Sequence, residues 1–202
     1  MKLRSIALAL VPALSIALAT AAHAQAGVYV TFDAQQFTQD GIYANPGIHG
    51  NVDRPWLFGP TFGVYYDVTH LPRLGALKTG PFLVGIDGRG DVLRVSEYGS
   101  QLDRTDGLFS IRVATKKKLM NTSPYIQGGF GIGHTRVPFA AHYSNNFIYQ
   151  FSLGVDRKIH GNFDWRVVEA SAGSLANYTT GGGSHPSNYM ITLSTGVVYR
   201  LR

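Results

Sequence analysis

Large apolar and small or polar side chains alternate along residues 146–156. The apolar members occupy the odd-numbered positions, with Ile148 as the one apolar residue on the even set: Phe147, Tyr149, Phe151, Leu153 and Val155. Because successive side chains of a strand point to opposite faces, this stretch has one apolar face and one polar face. No amphipathic helix is predicted that could cover such faces, so a closed barrel with lipid outside and a polar interior is the simplest solution.

The same alternation recurs along the chain and predicts eight antiparallel strands. Their predicted ranges are 27–36, 55–68, 79–89, 106–116, 124–136, 146–156, 162–171 and 188–201. Each is close to the ~9–11 residues with which a tilted strand crosses a bilayer. Long predicted connections follow the odd-numbered strands: 37–54, 90–105, 137–145 and 172–187. Those after even-numbered strands are mostly shorter and basic, and this asymmetry is typical of extracellular loops and periplasmic turns.

The first residues have the composition of a cleaved export signal. Two basic residues precede an apolar stretch over 6–19, and Ala22 and Ala24 supply the small-x-small pattern of a cleavage site. We therefore assign 1–24 to a signal peptide and 25–202 to a single barrel domain. A proline within the short apolar stretch argues against an uncleaved membrane helix. The chain contains no cysteine, which excludes disulfides and thiolate metal sites.

The formal net charge is +6 at pH 7, and the basic surplus lies mainly in the short connections. The run Lys116, Lys117 and Lys118 could contact anionic headgroups or nucleic acid, but a solvated turn is the simpler interpretation. Neither interleaved aromatic residues nor a nucleic-acid-binding motif accompanies it, so we expect no nucleic-acid partner.

Glycine and histidine patterns predict no chemistry of their own. The glycine row over 128–133 lacks the following helix that a phosphate-binding loop requires, and inward glycines suit a narrow, coiled barrel. The histidines outside residue 142 show no metal-ligand spacing. We therefore expect no metal and no cofactor.

Charged residues recur on the faces that would line the interior. Seven share the inward parity of their predicted strands: Asp67, Asp87, Arg89, Arg112, Asp156, Arg166 and Arg200. Buried charges must pair or neutralise, and an eight-stranded barrel has room only for side chains, so we predict a lumen plugged by arginine–carboxylate pairs. Glu169 falls on the opposite parity to Arg166 unless a bulge intervenes. A small gated channel is an alternative interpretation of the same charges.

The whole predicted domain resembles the small eight-stranded outer-membrane β-barrels of OmpA/OmpX type from Gram-negative bacteria. The resemblance rests on the export signal, the alternation and four glycine-containing segments: 84–90, 128–133, 153–156 and 196–200. It implies an all-β, transmembrane, up-and-down barrel in the outer membrane, reached through the periplasm and inserted by the barrel-assembly machinery. It also implies a monomer among outer-membrane lipid and lipopolysaccharide, with a structural or surface-interaction role and four extracellular loops open to a ligand.

A second resemblance concerns His142, Ser144 and Asp156, which share one strand parity. Residues 142–145 are similar to the His-x-Ser-Asn stretch of outer-membrane lipid A deacylases. A histidine-activated serine with an orienting carboxylate can cleave esters, so a lipid A-directed esterase is an alternative function. The acid here is Asp rather than the Glu of that family, and a polar loop running into a strand explains the same residues.

A soluble, ligand-binding barrel of lipocalin type is the last alternative. Such a barrel would need an apolar interior. The predicted inward faces are polar or small instead, as Thr192 and Ser194 illustrate.

Overall fold

The computed structural model describes residues 24–37, 56–68, 81–97, 100–115, 120–137, 142–177 and 188–201. These residues form eight antiparallel strands, each paired with its neighbours in sequence, and pairing of the first with the last closes the barrel. The strands are β1 (Ala24–Phe37), β2 (Trp56–Val68), β3 (Phe82–Glu97), β4 (Ser100–Thr115), β5 (Thr122–Val137), β6 (His142–His160), β7 (Phe163–Asn177) and β8 (Asn188–Leu201). No helix within the described ranges is long and apolar enough to cross a membrane.

The predicted strand set is present, but several strands are longer than predicted. The predicted loop 90–105 is wrong, because β3 and β4 remain paired up to Glu97 and Ser100. The predicted loop 137–145 is largely wrong for the same reason, since Val137 pairs with His142, and β7 runs on to residue 177 within the predicted loop 172–187. Polar residues in these stretches resemble loop residues in sequence, but Asp91, Arg104 and Ser174 are buried in the polar interior of the barrel.

Several predicted segments lie outside the described residues. They include the signal peptide 1–24 except for Ala24, the connection 38–54, the lysine run 116–118 and most of 172–187.

The barrel has two ends, which the strand directions distinguish. The "loop end" is the end at which the odd-numbered strands finish, and the "turn end" is the opposite end.

The two faces of the barrel wall differ in polarity as the alternation predicts. On β6, Phe151 and Leu153 are 52% and 53% exposed, whereas Ser152 between them is 1% exposed. Large apolar side chains on the other strands share the outward face, and outward rings of adjacent strands stack, as in the pair Phe130 and Phe147 at 6.2 Å. A continuous apolar exterior of this kind is the surface that lipid hydrocarbon solvates.

Two inward glycines make room for close approaches inside the wall. A Cβ atom on Gly131 would lie 1.9 Å from the carbonyl oxygen of Gly107 on the neighbouring strand. A Cβ atom on Gly154 would lie 2.3 Å from Cζ of Tyr125, so glycine there lets the tyrosine ring lie flat across the strand. The wall therefore coils tightly at the first position and accommodates a large lumen side chain at the second.

A β-bulge interrupts β7 between Arg166 and Glu169. On β8 the partners of these two residues are Gly196 and Ser194, so three steps along β7 oppose two along β8. The register with β6 shifts at the same level, between Val155 and Asp156. The extra residue brings Arg166 and Glu169 to the same inward face, which regular alternation would not allow.

Replacing Gly131 by alanine should destabilise the barrel by about 1–3 kcal/mol, because the new methyl group would meet the backbone of β4. Urea unfolding of the protein in lipid vesicles measures the change. The control is Gly128→Ala on the outward face of the same strand, where the nearest atom to a Cβ is 3.9 Å away. Equal stabilities of the two variants would contradict the tight strand approach.

Candidate functional site in the barrel lumen

The lumen is closed at the loop end by an apolar layer. Seven buried side chains from seven strands meet there: Phe37, Leu57, Leu93, Leu108, Ile148, Leu175 and Met190. Phe37 ends β1 and Leu57 lies next to the start of β2, which places the layer near the rim of the barrel. Ile148, the one interruption in the apolar alternation of β6, contributes to this layer. Toward the loop end, the described part of the lumen is therefore occupied largely by apolar side chains.

A buried arginine links the apolar layer to the polar interior. Arg104 is fully buried; its Nη1 donates to Oε1 of Gln35 at 2.6 Å and its Nε to Oδ1 of Asp106 at 2.9 Å. The backbone N–H of Asp106 donates to Asp91 at 3.1 Å, and the Arg104 guanidinium carbon lies 5.5 Å from the Phe37 ring centroid. None of these residues was predicted to act in the lumen. Gln35 and Asp106 fall within predicted strands, whereas Asp91 and Arg104 fall within the predicted loop 90–105.

Below this level, charge pairs form one continuous chain across the lumen. Its members, in order of contact, are Asp87, Arg89, Glu169, Arg166, Asp156, Arg112 and Asp67, from β3, β7, β6, β4 and β2. We call this set the lumen charge chain. Its N···O distances run from 2.5 Å, between Arg89 and Glu169, to 3.5 Å, between Arg112 and Asp67. The chain ties together strands that are not neighbours in the wall.

Glu169 holds the middle of the lumen charge chain. Its two carboxylate oxygens accept from Arg89 at 2.5 Å and from Arg166 at 3.3 Å, and the residue is 1% exposed. The hydroxyl of Tyr125 also donates to it, at 2.5 Å. The β7 bulge is what brings Glu169 to this face, so an irregularity of the backbone completes the network.

Tyrosine rings pack against the arginines of the chain. The Arg112 guanidinium carbon lies 3.8 Å from the ring centroid of Tyr125 and 4.4 Å from that of Tyr65. The Arg166 guanidinium carbon lies 4.1 Å from the ring centroid of Tyr29, whose hydroxyl donates to Asp87 at 2.9 Å. Cation–π contacts and hydrogen bonds of this kind compensate for the loss of water around buried guanidinium groups.

Six of the seven predicted lumen charges are brought together in the chain; Arg200 is the exception. It pairs with Asp164 near the turn end, and its side chain is 18% exposed. The sequence predicted an inward Glu169 only if a bulge intervened, and it did not identify Asp164 as a lumen charge. Arg89, a partner of Glu169, lies on β3 across the barrel, and alternation does not encode that alignment. Asp164 shares the inward face of Arg166 and pairs with Arg200 on the adjacent strand, so alternation could have identified it.

The structure does not bring His142, Ser144 and Asp156 together. All three lie on the continuous strand β6, and the twelve steps from Ser144 to Asp156 span roughly 40 Å at strand rise. The side chains of His142 and Ser144 lie outside the described part of the structure. Both carboxylate oxygens of Asp156 are engaged, by Arg166 at 3.0 Å and by Arg112 at 3.1 Å. Asp156 therefore belongs to the lumen charge chain.

Metal-ligand geometry is also absent from the described residues. They contain no group of three or more histidine, aspartate or glutamate side chains placed to hold a metal ion.

Comparison with known proteins identifies the fold. No family model matches the chain, and no curated protein matches its sequence. The crystal structure of neisserial surface protein A aligns over 86% of this chain and 97% of that one, with 12% identity and a TM-score of 0.54. Ail, the attachment invasion locus protein of Yersinia pestis, in complex with the heparin analogue sucrose octasulfate, aligns over 89% and 99%, with 13% identity and a TM-score of 0.51.

The fold is that of the small eight-stranded outer-membrane β-barrels. The predicted fold class, an antiparallel transmembrane barrel of eight strands, is confirmed. At such low identities the likeness extends to the fold alone, so the role of the protein has to be argued from its own residues.

Glu169→Gln should destabilise the barrel by about 3–5 kcal/mol, because it leaves Arg89 and Arg166 buried without their shared counter-charge. Urea unfolding in lipid vesicles is again the measurement. Asp103→Asn is the matched control: it removes the partner of Arg94, whose side chain is 71% exposed, and should cost less than about 1 kcal/mol. A Glu169 variant as stable as this control would mean that the lumen charge chain contributes little to the free energy of unfolding.

Proposed function

We propose that the protein is a non-catalytic barrel of the Gram-negative outer membrane with a structural or surface-interaction role. The observation that carries this proposal is an apolar exterior around a lumen filled with mutually paired side chains. An apolar exterior suits a bilayer, and the members of the lumen charge chain are engaged with one another rather than available for a reaction. The remaining surface that differs from lipid-facing wall is at the two ends of the barrel.

Aromatic side chains near both ends of the strands support the membrane placement. Trp56 and Phe58 lie outward near the loop end, and Phe163, Trp165 and Tyr199 lie outward near the turn end. The rings of Phe163 and Tyr199 are in contact at 5.0 Å. Aromatic side chains favour the two membrane–water interfaces, so these groups mark the boundaries of the apolar belt.

The filled lumen argues against the channel alternative. A permeating ion would have to pass the apolar layer at the loop end and then break the lumen charge chain, whose members come from five strands. Opening such a path would leave charges unpaired at low dielectric, which costs several kcal/mol. We therefore expect the resting barrel not to conduct.

The position of Asp156 argues against the esterase alternative. Its carboxylate orients two arginines and lies far along β6 from Ser144, so it cannot orient His142. We propose that residues 142–145 serve as the start of a strand next to an extracellular connection. A ligand, if one is bound, would then contact the loop-end connections, and the barrel itself would act as a monomeric support.

The proposal predicts that the protein fractionates with the outer membrane and shifts on a gel when heated. A closed barrel resists unfolding by detergent because its backbone hydrogen bonds are satisfied within the wall, so the unheated protein should migrate differently from the boiled protein. Semi-native electrophoresis of fractionated cells measures both properties.

Three results would contradict the proposal. Recovery in the soluble periplasmic fraction without a heat-dependent shift would overturn the membrane placement. Regular single-channel currents from the purified protein in planar bilayers would replace the structural role by a channel. A lipid A mass change on overexpression that Ser144→Ala abolishes would restore the esterase.

A further inference from the structure

An apolar groove interrupts the outer face of the barrel near the turn end. It lies across β3 to β7 and has a volume of about 390 Å³. Two cross-strand rows of outward positions line most of it. The first row is Val113, Ile126, Leu153 and Ala170, and the second is Pro124, Val155 and Val168. The groove therefore faces the hydrocarbon region that the apolar belt defines.

Small side chains form the groove between larger neighbours. Ala170 stands between Leu153 and Leu193, which are 53% and 47% exposed, and only its methyl group fills the space between them. In the second row, the compact side chains of Pro124 and Val155 are half-buried. Adjacent strands lie about 4.8 Å apart, so an alanine in the middle strand of three leaves a slot about as wide as one hydrocarbon chain.

Polar groups stand at the turn end of this groove. Thr115, the last residue of β4, lines it, and its Oγ1 atom is buried without a hydrogen-bond partner among the described residues. Arg157 follows Val155 by two residues on the same face of β6 and is exposed. Arg157 makes no ion pair with any described residue. The register sets it opposite Trp165, at the aromatic boundary of the belt.

We propose that this groove binds one acyl chain of an anionic phospholipid in the leaflet at the turn end. The acyl chain lies along Ala170 and Leu153, and the headgroup phosphate pairs with Arg157. This inference rests on the proposed membrane placement and adds a specific lipid site to it.

Charge and shape together select this occupant. An arginine guanidinium matches the geometry of a phosphate, and a basic side chain near a membrane surface contributes about 1 kcal/mol of attraction to an anionic lipid. The groove continues from this charge into the hydrocarbon region, as an acyl chain continues from its headgroup. A zwitterionic lipid also carries a phosphate, but its own ammonium group competes with Arg157 for that phosphate.

The two tryptophans of the chain provide a direct test, because they lie at opposite ends of the barrel. Trp56→Phe leaves Trp165, beside Arg157, as the single fluorophore. The protein is inserted into phosphatidylcholine vesicles that contain a small fraction of lipid with brominated acyl chains, either phosphatidylglycerol or phosphatidylethanolamine. Bromine quenches tryptophan on contact, so the quenching reports which lipid occupies the groove.

Phosphatidylglycerol should occupy the site about fivefold more readily than phosphatidylethanolamine, which corresponds to one charge contact. Arg157→Ala should remove this preference, and Ala170→Leu should reduce it by filling the slot. Two matched variants should retain it: Arg94→Ala at the loop end and Ala34→Leu on the outward face of β1. The reciprocal protein, Trp165→Phe, should show no preference at Trp56.

Equal quenching by the two brominated lipids at Trp165 would overturn the inference. So would a preference that survives both Arg157→Ala and Ala170→Leu, since it would then arise from the overall positive charge. Insertion is checked first by the heat-dependent gel shift of the same samples. A protein that fails to insert contradicts the proposed function itself, whereas an inserted protein without the preference contradicts only the lipid site.

Discussion

The structure depends on the compensation of buried charges across the lumen. An inside-out barrel with an apolar exterior must place its polar residues inside, and charged groups there lose their water. The lumen charge chain resolves this by alternating carboxylates and guanidinium groups from β2, β3, β4, β6 and β7, with Glu169 at its centre. These contacts join strands that are not neighbours, so they fix the cross-section of the barrel. Backbone pairing between neighbouring strands alone would not do so.

Local backbone features serve this network. The bulge in β7 turns Glu169 inward, and Gly154 leaves room for Tyr125, whose hydroxyl donates to that carboxylate. The side chains that stabilise the barrel from inside also fill its lumen. The same contacts therefore account for the stability of the fold and for the closed lumen. A barrel of this kind offers its two ends and its lipid-facing surface for interactions, which is why the proposals above concern a surface role and a lipid site.

The sequence predicts the fold well because alternation is a local signal. It identified every strand, the two faces of β6, and the inward direction of Asp67, Asp87 and Arg166. It underestimated β3 and β4, because Asp91 and Arg104 are typical loop residues by composition although they line a polar lumen here. It did not decide whether Glu169 points inward, because a bulge reverses the parity of a strand and no local sequence pattern indicates the bulge. Partners across the lumen depend on the closed geometry, which alternation does not encode.

The most direct test of the inside-out arrangement is an accessibility scan along β6. The chain has no cysteine, so single cysteines at residues 146–156 can each carry a spin label in the vesicle-inserted protein. Collision with oxygen, which dissolves in the hydrocarbon, should be high at odd-numbered positions such as 151 and 153 and low at even-numbered positions such as 150 and 152. A uniform profile, or a maximum at the even-numbered positions, would contradict a lipid-facing exterior around a filled polar lumen.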